Sequence, residues 1–193
     1  SKEGYFKKIT PQSLRMSGEQ KFKEGDSLAF SRETTNRAEL LFFTDRQQVY
    51  KAHASDFDDT KASVLGEYVP AKLGMDEGEK VILCVPLQQY TGFMLFFYRG
   101  GKVGKVEMAS YETKTNRKKL IKAYSEKYTI HTILYIKEDS EILLKSTNGR
   151  MLIVSTAAIP SKNPPLPSFR AINATFLLPR FVLTQPFTTT SLL

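Results

Sequence analysis

The chain has 193 residues, 41% of them apolar, which is room for one large domain or two small ones around a packed core. Lys and Arg outnumber Asp and Glu by 28 to 20, the formal charge is +8 and the isoelectric point lies near 9.5, so an anionic partner is expected, nucleic acid ahead of a membrane surface. Cys84 stands alone, which excludes an intrachain disulfide and points to a reducing compartment; the apolar runs are too short to span a bilayer, and no signal peptide is visible.

The chain opens at Ser1 within a charged segment and reads as a fragment of something longer. Residues 4–9 (GYFKKI) are a short basic strand, followed by a polar stretch and an apolar strand at 27–30, with Lys23, Glu24, Gly25 and Asp26 as the turn between. A second unit starts at 40–43 (LLFF), turns at 44–48 and returns at 49–51 (VYK). It goes on through a polar loop to a turn at 76–79 and a strand at 80–85. This is the acidic part of the chain, with Asp56, Asp58, Asp59, Glu67, Asp76, Glu77 and Glu79.

The third unit repeats the pattern, with an apolar run at 93–97, a basic turn at 98–102 and a strand at 103–108. Eight cations follow one another from Arg99 to Lys122 (Arg99, Lys102, Lys105, Lys114, Arg117, Lys118, Lys119, Lys122) against Glu107 and Glu112. Residues 116–125 are the best helix candidate, with Leu120, Ile121 and Tyr124 on one face. A strand at 128–136 ends the unit. The fourth unit has strands at 142–145 and 151–154 around Asn148-Gly149, a strong hairpin turn signal because both positions tolerate positive φ. A proline-rich loop at 160–167 and apolar strands at 176–178 and 181–183 complete it.

Gly4, Gln48, Lys102 and Arg150 align across these units, at offsets of 44, 54 and 48 residues. A period near fifty with several short strands per unit predicts an all-β, propeller-like array of about four blades, with units at roughly 4–39, 40–90, 91–139 and 140–193 in one domain.

The motifs admit plain and sharp readings. The run from Arg99 to Lys105 (RGGKVGK) resembles a phosphate loop, but the GxxxxGK[ST] spacing is not met and a strand follows in place of a helix. Phosphate contact by cations at an exposed hairpin tip needs only charge and reach. The cluster Lys114, Arg117, Lys118, Lys119 and Lys122 is either a solvated face or a backbone contact to DNA, with Thr113, Thr115 and Asn116 as further phosphate donors. Phe42, Phe43, Phe96 and Phe97 could stack on bases, but their recurrence in apolar strands predicts core packing. No metal-ligand spacing joins His53, His131 and Cys84, and Cys84 is expected to be a buried small hydrophobe.

The segments LLFFTDRQQVYK (40–51), MLFFYRGGKVGK (94–105), STNGRMLIV (146–154), GYFKKITPQSLR (4–15) and DEGEKVI (76–82) resemble the C-terminal domain of the A subunit of bacterial type IIA topoisomerases, DNA gyrase and topoisomerase IV. The resemblance covers most of residues 4–155. It implies a β-pinwheel in which neighbouring blades exchange strands, and duplex DNA bent around a basic rim. It implies no catalysis by this chain and no cofactor: the DNA-cleaving tyrosine and the ATP site belong elsewhere in an ATP-hydrolysing holoenzyme. The implied partners are DNA, the ATPase B subunit and the rest of the A subunit, in a cytoplasmic, nucleoid-associated setting without a membrane. Gyrases carry a basic glycine-rich box in the first blade. Residues 17–26 occupy that place here with Lys21 and Lys23 but also Glu19, Glu24 and Asp26, which favours a topoisomerase IV-like or divergent paralogue over gyrase.

The expected DNA contacts are Arg99, Lys102, Lys105, Lys114, Arg117, Lys118, Lys119, Lys122, Lys7, Lys8, Lys21, Lys23, Arg46 and Arg150, with DNA avoiding residues 56–59. Two other classes stay open: a propeller-type protein-interaction scaffold, and a free-standing enzyme that rests on the weak RGGKVGK likeness alone. Two structural expectations complete the reading. Phe43, Phe97 and Leu144 should be equivalent buried positions, and the strand at 176–178 or at 181–183 should lie beside the first unit, which lacks a leading strand.

Overall fold

Leu40, Leu41, Phe42 and Phe43 are apolar on both sides of an extended chain, which suits a strand with neighbours on both edges and both faces. The computed structural model, which describes residues 1–16, 19–113, 117–146, 149–162 and 181–183, places them so. In chain order the elements are β1 (Tyr5–Phe6), α1 (Pro11–Met16), β2 (Glu39–Thr44), β3 (Val49–His53), β4 (Glu67–Tyr68), α2 (Val69–Leu73), β5 (Val81–Leu87), β6 (Phe93–Tyr98), β7 (Lys102–Glu107), β8 (Lys119–Leu120), β9 (Ile130–Ile136), β10 (Glu141–Ser146), β11 (Met151–Ser155), β12 (Ser161–Lys162) and β13 (Phe181–Leu183). The strands form sheets ordered β5-β2-β3-β8, β9-β6-β7-β12, β11-β10-β13 and β1-β4. The mostly-β expectation holds. The short helix α1 went unread, although Thr10 before Pro11 is a start signal: Thr10 Oγ1 accepts from the Ser13 amide at 3.2 Å.

The chain forms two compact units: Ser1–Gln89 with Thr115–Ile121, and Tyr90–Lys114 with Lys122–Leu193. The core of the first packs Leu40, Phe42, Tyr50, Phe57, Val69 and Cys84 together. That of the second packs Leu95, Phe97, Ile142, Leu144 and Ile159. The four strand phenylalanines are core residues, and Cys84 is a buried free thiol, as the sequence predicts.

Backbone register shows the repeat more sharply than the letters do. Phe43 faces Val49, Phe97 faces Val103 and Lys145 faces Met151. The third hairpin therefore puts Lys145 at the position of Phe43 and Phe97, while Leu144 matches Phe42 and Phe96. This corrects the predicted equivalence by one residue, a slip that exchanges the two faces of a strand. Behind each hairpin one backbone bond recurs: Ala54 N–H to Ala38 O, Met108 N–H to Gly92 O, Thr156 N–H to Ser140 O. The turns share a left-handed residue at one position, Gln47 (φ 55°), Gly101 (77°) and Gly149 (83°).

Two edge pairings repeat as well. Tyr5 and Phe6 pair with Tyr68 and Glu67, and Val49 and Tyr50 pair with Leu120 and Lys119. A two-residue strand from one repeat thus pairs with a strand of the repeat before it, β4 with β1 and β8 with β3. This displaces the helix expected at 116–125. An isolated helix that short is marginal, whereas the open edge of β3 offers ready partners. At the other end β13 pairs with β10, Leu144 facing Leu183, in the place that β5 takes on β2 and β9 on β6. The strand at 181–183, expected beside the first unit, therefore pairs with β10 within its own repeat. Residues 176–178 lie outside the described residues. No strand forms at 27–30 either, where one is predicted.

Candidate nucleic-acid interface

A cation serves DNA only if its charge reaches the surface, so each predicted contact is placed by exposure and partner. In the first unit Arg46 is exposed in the β2–β3 turn. Arg117 and Lys118 are exposed beside β3, held there by a 2.8 Å bond from Lys51 N–H to Lys118 O. Lys119, on β8, is half-buried: its ammonium lies 3.2 Å from Asp76 and 5.2 Å from the Tyr50 ring centre. The Tyr50 hydroxyl, and after it Asp76, raise the Lys119 pKa above its ordinary value. Lys21 and Lys23 are exposed, and Lys8 bonds Asp59 at 3.2 Å.

In the second unit Arg99 is exposed at the β6–β7 turn, where its amide donates to Thr129 O at 2.9 Å. That bond brings the turn alongside Tyr128. The Lys102 ammonium sits 2.5 Å from the Tyr128 hydroxyl and 3.9 Å from its ring centre, and Lys127 lies 5.7 Å from the same ring. Lys102 holds the Tyr128 phenol below its ordinary pKa. Lys122 and Arg150 are exposed. Lys114 lies outside the described residues. Sequence reasoning missed Lys127 and Tyr128, and an adjacent cation and aromatic leading into a strand is the signal that marks them.

Three lysines form a set of a different kind. Lys7, Lys51 and Lys105 share one repeat position, two residues past Tyr5, Val49 and Val103. Lys105 is 5% exposed and Lys51 7%. Lys105 donates to Asp139 at 2.5 Å and to Thr156 O at 3.1 Å, over the ring of Phe93. Lys51 pairs with Glu39 at 3.1 Å. Lys7 donates to Lys21 O at 2.6 Å and Ala62 O at 3.0 Å, and burial lowers its pKa. The structure thus places Lys7 and Lys105, both predicted DNA contacts, in internal bonds. The repeat position could have revealed this, because a lysine that recurs within a strand reads as part of the fold.

Of the acidic residues at 56–59, Asp56 and Asp59 are also engaged. Asp56 accepts from the His53 amide at 2.8 Å, and Asp59 holds Lys8. Near the β2–β3 turn the buried Glu79 accepts from Tyr50 OH at 2.8 Å, from the Asp76 amide at 3.2 Å, and from Thr44 Oγ1. Among the described residues no helix is long and apolar enough to cross a membrane.

No known family profile matches the chain. The A subunit of DNA topoisomerase 4 of Bacillus subtilis (strain 168) is 24% identical over 125 residues, 63% of this chain and 16% of that protein. Among solved structures, the C-terminal domain of DNA topoisomerase IV superposes with a TM-score of 0.69 at 22% identity, over 84% of this chain and 52% of that one. The E. coli ParC C-terminal domain gives 0.62 at 17%, over 83% and 64%. The DNA gyrase A C-terminal domain gives 0.51 at 14%, over 84% and 55%. The chain therefore spans a small part of its curated relative and roughly half of the first of these domains. In sequence the chain is similar to a topoisomerase IV A subunit, and its fold is that of the β-pinwheel C-terminal domains of topoisomerase IV and gyrase A.

Proposed function

We propose that this chain is a duplex-DNA-binding module that bends or wraps DNA as part of a type IIA topoisomerase A subunit. One observation carries the reading. Each of the three hairpin turns presents an exposed arginine, Arg46, Arg99 or Arg150, on a fold shared with topoisomerase C-terminal domains. Exposed Arg117, Lys118, Lys122, Lys21 and Lys23 add to the positive surface of their units. Such groups bind phosphates with little base readout, so affinity rests on charge and on the ease of bending the duplex.

A topoisomerase IV-like role is favoured over gyrase. The structural match is better for topoisomerase IV, and the place of the gyrase box holds a Glu24-Gly25-Asp26 turn built like Glu77-Gly78-Glu79. In this reading the chain performs no chemistry. DNA cleavage and ATP hydrolysis belong to an ATPase partner and to the rest of the A subunit, in the cytoplasm on the nucleoid.

A second reading, a protein-interaction surface, draws on Met151 and Ile153, which are exposed on β11 although Lys51 and Lys105, at the position of Ile153, are buried. Titration of a duplex of about forty base pairs across a salt series separates the two. Binding whose logarithm falls linearly with log salt supports the DNA reading. No binding at low salt leaves the interaction surface in front.

A further inference from the structure

Each unit contains a lysine–tyrosine pair near a hairpin turn, and the two pairs differ in what completes the tyrosine. In the first unit the Tyr50 hydroxyl donates to Glu79 at 2.8 Å, and Lys119 beside it is paired with Asp76 at 3.2 Å. That pair is closed, because the phenol proton has an acceptor and the cation has a carboxylate. In the second unit cations surround Tyr128 instead. Lys102, on β7, bonds its hydroxyl at 2.5 Å, and Lys127 lies 5.7 Å from its ring centre. Tyr98, on β6, meets the ring edge-on at 6.0 Å. Among the described residues no oxygen accepts a hydrogen bond from the Tyr128 hydroxyl.

An ammonium group has protons to give and no lone pair, so in the Lys102–Tyr128 bond the phenol oxygen accepts. The phenol's own proton is left to donate, and a cation bonded to the oxygen makes it a stronger donor. The same bond holds the Tyr128 phenol below its ordinary pKa. Tyr128 and Lys102 are half-buried and Lys127 is exposed, so an acceptor can arrive from solution. The bond from the Arg99 amide to Thr129 O fixes the exposed turn alongside.

We propose that Tyr128, Lys102 and Lys127 form a seat for one backbone phosphate of duplex DNA, with the Tyr128 hydroxyl donating to a phosphate oxygen that the two ammonium groups neutralise. The seat depends on the DNA reading above and adds to it a neutral donor that a count of charges does not find. A phosphodiester fits because it brings acceptor oxygens and a negative charge to a site that offers only donors, and tyrosine hydroxyls are common phosphate donors. Tyr50 has no such role, since Glu79 takes its proton.

Duplex titrations of the full chain at fixed salt, from about pH 7.5 to 9.5, read the phenol directly. As pH rises through the lowered pKa, the hydroxyl loses the proton it donates and gains a negative charge that faces the phosphate. Affinity should therefore fall, while lysines, with ordinary pKa values of about 10.4, keep their charge. Burial pushes the Tyr98 phenol well up, so it stays neutral in that range. Tyr128→Phe should weaken binding roughly tenfold at the low end of the range and flatten the fall. It should leave the salt slope unchanged, because a neutral donor releases no counterion. Lys102→Met should instead make that slope shallower by about 0.9. Thermal midpoints check that both variants fold. On the native chain, acetylation of Tyr128 by N-acetylimidazole, read by mass spectrometry, should be suppressed by the duplex and not by inorganic phosphate at the same phosphate concentration. No duplex binding by the native chain at low salt would remove the DNA reading and the seat with it. Three outcomes would overturn the seat and leave the DNA reading standing: unchanged affinity and pH profile in Tyr128→Phe, acetylation that the duplex does not suppress, or suppression by inorganic phosphate alone.

Discussion

Lys105 donates to Asp139 at 2.5 Å from inside the second unit, with a second bond to the carbonyl of Thr156. A cation spent in this way is part of the fold and is not offered to a ligand. Lys105→Ala should therefore lower stability by about 2 kcal/mol, because the Thr156 carbonyl is left without its donor. It should leave the salt slope of DNA binding unchanged. A changed slope at unchanged stability would return Lys105 to the DNA surface.

The same pair sets a pH dependence. Lys105, and after it the Thr156 hydroxyl, hold the Asp139 carboxyl below its ordinary pKa. A carboxyl depressed in the folded state stabilises the fold above its unfolded value, near 4, and loses that contribution as pH falls through the lower folded value. Thermal midpoints of the native chain should therefore drop from about pH 4 downward. Asp139→Asn should show a shallower acid limb, measured by circular dichroism across that range.

Hairpin geometry yields a stabilising substitution. Gln47 holds φ at 55° where the aligned residues are Gly101 and Gly149. Left-handed backbone is unfavourable for a residue with a Cβ, and glycine adopts it freely. Gln47→Gly should raise stability by about 0.5–1 kcal/mol, read as a shift in denaturant midpoint at constant m-value.

The corrected register separates two positions that look alike. Phe97 is buried in the core of the second unit, and Lys145 occupies the same repeat position but is exposed. Phe97→Ala should cost about 3–5 kcal/mol. Lys145→Ala should stay within about 0.5 kcal/mol. A large loss at Lys145 would mean that β10 is set one residue out of register.

The DNA reading rests on the turns. Replacing Arg46, Arg99 and Arg150 together by alanine should weaken duplex binding on every sequence tested. The slope of log K against log salt should become shallower by about 0.9 for each phosphate that is no longer neutralised. The comparison is Lys21→Ala with Lys23→Ala, which reports whether the place of the gyrase box still takes part. If neither set alters binding, these cations are not the DNA surface.

Much of the fold is legible in residue order because it is decided locally. Two-residue periodicity, apolar quartets such as 40–43 and glycines at turn positions specify hairpins over a few neighbours, and their recurrence predicts the array. The core role of Phe42, Phe43, Phe96 and Phe97 follows from the same pattern. What tertiary structure alone decided is the fate of each charge. Lys102 and Lys105 lie three residues apart in one strand. One packs against Tyr128 beside an exposed turn, and the other is buried against Asp139, 34 residues along the chain. Local sequence carries no record of a partner that distant, since desolvation depends on which strand arrives at the edge and which loop covers the face. The two-residue strands β4 and β8 have the same origin, because their pairing comes from the open edges of β1 and β3 and not from any propensity of their own.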